Sequence, residues 1–211
     1  MITLYSWTTP NGRKASIMLE EVGLPYVVKP INIMKDEQFA PDYLKISPNN
    51  KIPCIVDDEA EGGPLSVFES GAILTYLAEK TGKFLPKSGP ARVRTFEWLH
   101  WQVGGLGPML GQLGYFAVFS KEKVPHAEAR YTKEADRLLG VMNRRLAETK
   151  YLAGDDYTIA DISAYSWSYA ATTFLKEPLA ETLTKVPHFL RWLELVGQRP
   201  AVKKGMTIPA V

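Results

Sequence analysis

The chain has 211 residues, of which 45% are hydrophobic and 23% charged, as is ordinary for a globular protein of one large or two small domains. Its formal net charge is +2, with Lys and Arg scattered among Asp and Glu, which excludes the strongly basic face of a typical nucleic-acid-binding protein. The single cysteine excludes an internal disulfide framework, a CxxC redox pair and a cysteine-rich metal site.

The N-terminal residues and the hydrophobic runs predict the cellular compartment. Residues 1–7 lack the charged and then apolar pattern of a signal peptide, and no run approaches the ~18 apolar residues that span a bilayer. A single cysteine is typical of a reducing compartment. We therefore expect a cytoplasmic protein that has neither a nucleic acid nor a membrane as its partner. The dispersed histidines, His100, His126 and His188, predict no metal site.

The beginning of the chain predicts a βαβ unit. Residues 2–7 are apolar, β-branched and aromatic, as in a strand, and they are followed by cap-type residues and by Pro10, which suits the first turn of a helix. Apolar residues then recur at helical spacing as far as Val22, and Gly23 ends the helix. Residues 26–33 form a second strand, which a right-handed crossover places parallel to the first.

The following residues predict a ββα unit. A short polar segment, residues 36–44, precedes two strand-like runs, residues 53–57 and 64–68, which are separated by an acidic, glycine-rich hairpin loop. A helix then begins after the second run and ends at Gly82. These elements make residues 1–82 an α+β domain.

Beyond Gly82 the hydrophobic period changes and stays helical. Residues 83–90 contain two prolines and a glycine and are interpreted as a linker, so residues 91–211 form an all-helical C-terminal domain. A long apolar helix over residues 92–119 has a Gly/Pro interruption at residues 104–108. Helical patterns then follow over residues 127–146, 158–174 and 186–196.

A proline opens the third strand, directly after Asn49, Asn50, Lys51 and Ile52. The missing N–H of Pro53 is tolerated at the start of a strand. A cis bond here would turn the N–H and C=O of Ile52 outward, where they would pair with an extended peptide. The alternative is an ordinary trans proline, because only about 5–6% of X-Pro bonds in folded proteins are cis.

Two helix N-termini carry polar side chains that suit a small ligand. A helix N-terminus attracts a carboxylate, to which Ser70 adds a hydroxyl, and the Glu69 carboxylate suits an ammonium, so the pair would hold an α-amino acid. Thr9 and Asn11, at the first helix, would donate hydrogen bonds to a thiolate, whose pKa a helix N-terminus lowers. Simple helix capping is the alternative at both places.

A thioredoxin-like N-terminal domain would bring these features to one cleft. The cleft would take a small extended peptide with a central thiol and an α-amino-acid end, which is the shape of glutathione. The sequence resembles the glutathione transferase superfamily, and is similar to its nu class and to the related bacterial disulfide-bond reductases. The motifs that carry the resemblance occur in order along both domains, at residues 8–12, 46–53, 68–74, 101–110 and 157–161.

The resemblance implies a site for glutathione, in its reduced or disulfide form, in a homodimer without a metal. Ile52, before a cis-Pro53, would pair with the cysteinyl backbone of glutathione. Glu69 and Ser70 would hold its γ-glutamyl end. The sequence carries each of these residue types at the matching position.

The resemblance also implies roles for residues outside these two motifs. Gln38 and Lys51 would reach the glycine end of glutathione. Arg130 would approach glutathione in its own or in the partner subunit. Thr9 and Asn11 would face the sulfur and act as the catalytic residues.

The sequence departs from the better-known classes, which place Tyr, Ser or Cys at the end of the first strand to contact the sulfur. Ser6 and Thr8 are the substitutes that this chain offers. The departure favours a reaction in which the thiolate of glutathione attacks a small disulfide or a hydroperoxide, and a second glutathione releases glutathione disulfide. Conjugation of glutathione to an aromatic electrophile and a non-catalytic, regulatory glutathione-binding protein stay open as alternatives. A redox role for Cys54 also stays open, although a buried thiol acting as a small hydrophobe is favoured.

Overall fold

The structure is a computed structural model that describes residues 1–210. The chain forms two compact units. The first unit contains Met1–Leu85 and also the C-terminal segment, which begins at Arg199, and the second unit contains Pro86–Gln198. No helix within residues 1–210 is both long and apolar enough to cross a membrane.

The first unit is built on a four-stranded sheet of β1 (Ile2–Ser6), β2 (Tyr26–Pro30), β3 (Cys54–Asp57) and β4 (Leu65–Phe68), which lie in the order β2-β1-β3-β4. Strands β1 and β2 are parallel, whereas β3 is antiparallel to both β1 and β4. The βαβ and ββα prediction and the thioredoxin-like class are therefore confirmed.

Helices α1 (Pro10–Val22) and α3 (Ser70–Thr81) pack against each other and against the sheet. The polar segment between β2 and β3 contains a 3₁₀ turn at Glu37–Phe39 and a short helix, α2 (Pro41–Ile46). Fully buried aliphatic side chains fill the core, and each contributes roughly 1.5–3 kcal/mol of transfer free energy. They include Leu4, Ile17, Leu19, Ile55 and Ile73.

The C-terminal segment packs against α1, although the domain prediction assigns it to the helical region 91–211. It contains a short helix, α10 (Pro200–Gly205), whose last residue lies directly on Ile17. A Cβ atom at Gly205 would lie 2.5 Å from Ile17 Cα, so a glycine is needed for this approach. The Ser16 hydroxyl donates to the Gly205 carbonyl over 2.7 Å. These contacts explain why the segment belongs to the first unit.

The second unit is helical, as predicted. The Gly/Pro interruption does not break the long first helix: α4 (Gly89–Trp101) continues through a π-helical turn at Gln102–Leu106 into α5 (Gly107–Gly114). Gly107 permits close packing, because a Cβ atom there would lie 3.1 Å from Trp167 Nε1. A second π-helical turn covers Tyr115–Phe119, and the remaining helices are α6 (Pro125–Glu148), α7 (Ile159–Thr172), α8 (Ala180–Leu183) and α9 (Pro187–Gly197).

A capping box of Thr158 and Asp161 begins α7. The Asp161 carboxylate is fully buried and accepts hydrogen bonds from the backbone N–H of Thr158 and of Leu152, each over 3.0 Å. Trp192 Nε1 donates to the same carboxylate over 2.8 Å. Asp161 therefore joins the start of α7 to the preceding loop and to α9.

Candidate active site

The register of the sheet brings three chain segments to one edge. Tyr5 pairs with Cys54, and Cys54 pairs with Phe68, so the end of β1, the start of β3 and the end of β4 are neighbours. The residues that follow β1, precede β3 and follow β4 therefore leave the sheet at the same edge. These are the segments that carry the predicted pairs Thr9 and Asn11, Ile52 and Pro53, and Glu69 and Ser70.

The bond between Ile52 and Pro53 is cis, as the resemblance implies. The ladder of β3 begins at Cys54, so the backbone groups of Ile52 lie outside the register with β1 and β4. The preceding peptide is held firmly, because the Lys51 carbonyl accepts hydrogen bonds from Tyr43 Oη over 2.7 Å and from Ser47 Oγ over 2.9 Å. The backbone of Ile52 therefore lies at the edge of the sheet, just before the ladder of β3 begins.

Helix α3 begins at Ser70 without a side-chain cap. Its first N–H groups are therefore left for an anion, such as a ligand carboxylate. Glu69, which precedes the helix, has a φ of 70°, in the region where residues other than glycine are rare. Its exposed carboxylate accepts a hydrogen bond from Asn49 Nδ2 over 3.4 Å. A strained backbone at the start of a helix is typical of a ligand site.

A buried lysine, which the sequence analysis did not identify, lies behind Ser70. Lys14 on α1 is only 2% exposed, and its Nζ donates to Ser70 Oγ over 3.4 Å. Burial lowers the pKa of the Lys14 ammonium to about 7, although the nearby Glu69 carboxylate has the opposite, smaller effect of raising that pKa. The sequence does contain a signal for this residue, because Lys14 lies four positions before Met18 and hence on the buried face of α1.

Thr9 and Asn11 lie at the N-terminus of α1. Thr9 caps the helix, since its Oγ1 accepts a hydrogen bond from Gly12 N over 3.1 Å, and the hydroxyl still has a proton to donate. Asn11 is the second residue of the helix and is half-buried. Ser6, one of the two substitutes considered for the sulfur contact, is fully buried, and its Oγ lies 3.5 Å from the Trp7 carbonyl. Ser6 is therefore unsuited to reach a ligand, whereas Thr8 is exposed.

The other predicted residues are spread more widely. Gln38 lies in the 3₁₀ turn after β2, where its Oε1 is buried and has no hydrogen-bond partner within residues 1–210. Lys51 is exposed in the first unit. Arg130 is exposed on α6 of the second unit, where it lines a groove of about 840 Å³ with His126 and Arg137.

Cys54 is placed for packing and not for chemistry. It is fully buried in β3, and its Sγ donates to the Ile46 carbonyl over 3.2 Å. Burial raises the pKa of its thiol to about 12, so the thiolate is not formed near neutral pH. No group of three or more His, Cys, Asp or Glu residues in the described part of the chain is arranged to hold a metal ion.

Family comparisons agree with this division into two units. Residues 1–79 match the family described as Glutathione S-transferase, N-terminal domain, and residues 106–200 match Glutathione S-transferase, C-terminal domain. The chain is 47% identical over 208 residues to the disulfide-bond oxidoreductase YfcG of Escherichia coli strain K12, with 98% of this chain and 94% of YfcG covered. It is 40% identical to YghU of the same strain, also named a disulfide-bond oxidoreductase, over 98% of this chain and 74% of YghU.

Solved structures show the same similarity in three dimensions. A glutathione transferase family member from Pseudomonas fluorescens Pf-5, with two glutathione bound, has a TM-score of 0.95 at 44% identity, covering 99% of this chain and 93% of that one. A glutathione transferase from Pseudomonas putida, with one glutathione disulfide bound per subunit, has a TM-score of 0.94 at 40% identity. The alignment covers 99% of this chain and 91% of the Pseudomonas putida chain.

Proposed function

This chain belongs to the glutathione transferase family, and on that premise we propose that it is a glutathione-dependent disulfide-bond reductase. The thiolate of bound glutathione is the nucleophile, and a small disulfide is the substrate. A hydroperoxide is a second substrate of the same thiolate. The names of two relatives, as disulfide-bond oxidoreductases, support this reaction over conjugation.

The observation that carries the proposal is the meeting of three segments at one edge of the sheet. The backbone of Ile52, which lies outside the ladder of β3, suits an extended peptide. The N-terminus of α3, which has no side-chain cap, suits a carboxylate, and the N-terminus of α1 suits a thiolate. The chain offers no thiolate of its own, because its single cysteine, Cys54, is buried and has a raised pKa. A reaction that needs a thiolate must therefore take it from the ligand.

The proposed reaction is thiol–disulfide exchange. The thiolate of bound glutathione attacks one sulfur of the disulfide, so that a mixed disulfide forms and the other sulfur leaves as a thiolate, which takes up a proton. The thiolate of a second glutathione then attacks the glutathione sulfur of the mixed disulfide, and glutathione disulfide and the second thiolate are released. With a hydroperoxide, the thiolate attacks the terminal oxygen, so that an S–O bond forms, the O–O bond breaks and the alkoxide takes up a proton to leave as an alcohol. The thiol of a second glutathione then attacks the sulfur of the resulting sulfenic acid, and glutathione disulfide and water are released.

Some residues at the edge of the sheet bind the backbone and the γ-glutamyl end of glutathione, and others activate its sulfur. Ile52, held by the cis bond to Pro53, pairs with the cysteinyl backbone, while Glu69 binds the γ-glutamyl ammonium and Ser70 the adjacent carboxylate. Thr9 and Asn11 donate to the sulfur. Those donors and the α1 N-terminus lower the pKa of the glutathione thiol from about 8.5, which raises the thiolate fraction at neutral pH.

Further residues and properties complete the proposal. Gln38 and Lys51 bind the glycine end of glutathione, to which the Lys51 ammonium and the Gln38 amide NH₂ would donate. Arg130 contacts glutathione bound to its own or to the partner subunit. The chain is a cytoplasmic homodimer and belongs to the nu class, an assignment that rests on the five motifs at residues 8–12, 46–53, 68–74, 101–110 and 157–161.

The decisive experiment measures the glutathione-dependent reduction of a small dialkyl disulfide by wild type, Asn11→Ala and Asn11→Asp. We expect wild type to exceed free glutathione, Asn11→Ala to lose activity roughly ten-fold, and the isosteric Asn11→Asp to lose more. The order follows because alanine removes a donor to the thiolate, whereas aspartate adds a repelling negative charge. A purely structural role for Asn11 would make the isosteric variant the milder one.

Two other outcomes would assign a different function to this chain. Rapid turnover of a chlorinated nitrobenzene with little disulfide reduction would make the chain a conjugating transferase. Tight binding of glutathione without turnover of either substrate would make it a regulatory glutathione-binding protein. A wild type no faster than free glutathione in the disulfide assay overturns the reductase proposal.

A further inference from the structure

Lys14 is a charged side chain in a place where charges are rarely tolerated. It is 2% exposed and among the largest fully buried side chains of the first unit. Lysine side chains usually keep the ammonium in water, because moving it into a protein interior carries a large desolvation cost. The fold keeps this lysine buried on α1, pointing at the N-terminus of α3, where its Nζ contacts Ser70 Oγ over 3.4 Å.

A negatively charged side chain lies near Lys14. It is the Glu69 carboxylate, which immediately precedes α3 and favours the charged form of the lysine. Two basic residues of the C-terminal segment, which also packs on α1, form ion pairs elsewhere: Arg199 with Glu21 and Lys204 with Glu20. An additional anion at the α3 N-terminus would lie next to this buried cation, beside the Glu69 carboxylate.

We propose that Lys14 is a positioning residue for the γ-glutamyl end of glutathione, acting through Ser70 on the α-carboxylate of the ligand. The inference rests on the proposed function, because it concerns the ligand of that same site. Lys14 does not touch the ligand itself. It sets the direction in which the Ser70 hydroxyl donates, and it supplies positive charge behind the α3 N-terminus.

The direction of the Ser70 hydroxyl follows from the donors and acceptors of the pair. A lysine ammonium has three donors and no acceptor, so a protonated Lys14 makes Ser70 Oγ an acceptor and leaves the Ser70 proton for the ligand carboxylate. A neutral amine would instead accept that proton and turn it away from the ligand. The carboxylate therefore binds best when Lys14 is charged.

This coupling predicts that binding takes up a proton. In the free protein, burial lowers the pKa of Lys14 to about 7, so the amine is partly neutral at neutral pH. A second carboxylate beside it favours the ammonium and raises that pKa. Glutathione binding near pH 7.5 should therefore add a proton to Lys14, whereas at pH 6 the lysine already carries its proton.

The experiment is calorimetry at pH 7.5 in two buffers of different ionisation enthalpy, with S-methylglutathione as the probe. The methyl group removes the thiol, so the ionisation of sulfur does not contribute to the proton count. For wild type we expect an uptake of roughly half a proton or more, falling towards zero at pH 6. This measurement uses the unaltered protein, so it does not depend on the folding of any variant.

The matched variant is Lys14→Met, which keeps an unbranched side chain as far as Cε and removes the charged terminal group. We expect no proton uptake from it and a Kd for S-methylglutathione raised roughly ten-fold. A second probe, 4-aminobutyryl-cysteinylglycine, keeps the amine but lacks the α-carboxylate. Lys14→Met should bind this probe as wild type does, whereas a general loss of structure would weaken both probes.

The outcomes separate this inference from the proposed function. Absence of proton uptake in wild type, or an equal loss of affinity for both probes in Lys14→Met, overturns the role of Lys14 and leaves the reductase intact. Failure of wild type to retain S-methylglutathione and glutathione disulfide overturns both. Ser70→Ala provides a further check, because the double variant with Lys14→Met should lose less affinity than the sum of the two single losses.

Discussion

Arg199 and Glu21 form a two-point ion pair that ties the C-terminal segment to the last turn of α1. Arg199 Nε lies 2.6 Å from Glu21 Oε1, and Nη2 lies 2.8 Å from Oε2. The Glu21 side chain is only 5% exposed. The helix that carries Thr9 and Asn11 at one end is therefore anchored at its other end by a residue far along the chain.

We expect Arg199→Ala to lower the free energy of unfolding of the protein by about 2 kcal/mol, because it leaves the Glu21 carboxylate buried without its partner. Urea denaturation followed by circular dichroism measures the loss. Lys204→Ala is the matched control, since Lys204 pairs with Glu20 but is 67% exposed, so its loss should stay below about 1 kcal/mol. Equal losses for the two variants would show that the Arg199–Glu21 pair stabilises the protein no more than the exposed Lys204–Glu20 pair does.

The backbone at Glu69 predicts that two substitutions which both weaken glutathione binding differ in their effect on stability. Its φ of 70° suits glycine, whereas alanine and glutamate both bear the strain of a Cβ atom in that conformation. We expect Glu69→Gly to be more stable than Glu69→Ala by about 1 kcal/mol. Both variants should bind glutathione equally poorly, because both lack the carboxylate. Thermal unfolding and calorimetry of the two variants check this, and equal stability would show that the backbone is not strained.

The surroundings of Cys54 predict an inert thiol. Burial raises its pKa to about 12 and excludes reagents from the sulfur. We expect no reaction of the native protein with a disulfide thiol reagent over the time in which the urea-unfolded protein reacts fully. Cys54→Ala should keep the proposed disulfide reductase activity within about two-fold of wild type, since the proposed nucleophile is the glutathione thiolate. Rapid labelling of the native protein would restore a redox role for this residue.

Local sequence patterns predicted most of the fold because they report local physics. The spacing of apolar residues along α1, together with Gly23 at φ 74°, specifies a helix and its end without reference to the rest of the chain. The capping box of Thr158 and Asp161 is equally local. The π-helical turn at 102–106 was not predicted, since a Gly/Pro run indicates a break in a helix. In the structure the helix continues through this run, and Gly107 packs closely against Trp167.

The site depends on contacts that no local pattern contains. Glu69 and Ser70 have the sequence of an ordinary helix start, and only the sheet register brings them beside Ile52. Lys14 was missed because a lysine in a helix is normally solvated, whereas here it is buried against a residue 56 positions away. The packing of Gly205 on α1 was also missed, because Ser16 and Gly205 are 189 positions apart and no local pattern joins them.

The buried carboxylate of Asp161 predicts a large effect on the stability of the second unit. It accepts hydrogen bonds from two backbone N–H groups and from Trp192 Nε1. Asn has a single carbonyl oxygen, so in Asp161→Asn the amide NH₂ must face at least one of these donors. We expect a loss of about 2–4 kcal/mol, which calorimetric unfolding would detect. Asp155→Asn, at an exposed position outside the capping box, is the control and should unfold as wild type does.

Lys14 also predicts how stability depends on pH in the absence of any ligand. In the folded protein, burial lowers the pKa of Lys14 from 10.5 to about 7, so between these values the unfolded chain binds more protons than the folded one. The free energy of unfolding contributed by Lys14 therefore rises with pH, by at most about 1.4 kcal/mol per pH unit. Below pH 7 both states hold the proton, and the full cost of the buried ammonium remains.

The measurement compares wild type with Lys14→Met by urea denaturation at pH 7, 8 and 9. Lys14→Met has no proton to lose at this position, so it should be the more stable protein at pH 7, and its advantage should shrink steadily by pH 9. Subtracting the two curves cancels the other titrating groups. A difference that does not change with pH would mean that Lys14 keeps its ordinary pKa, and proton uptake on ligand binding would then lose its physical basis.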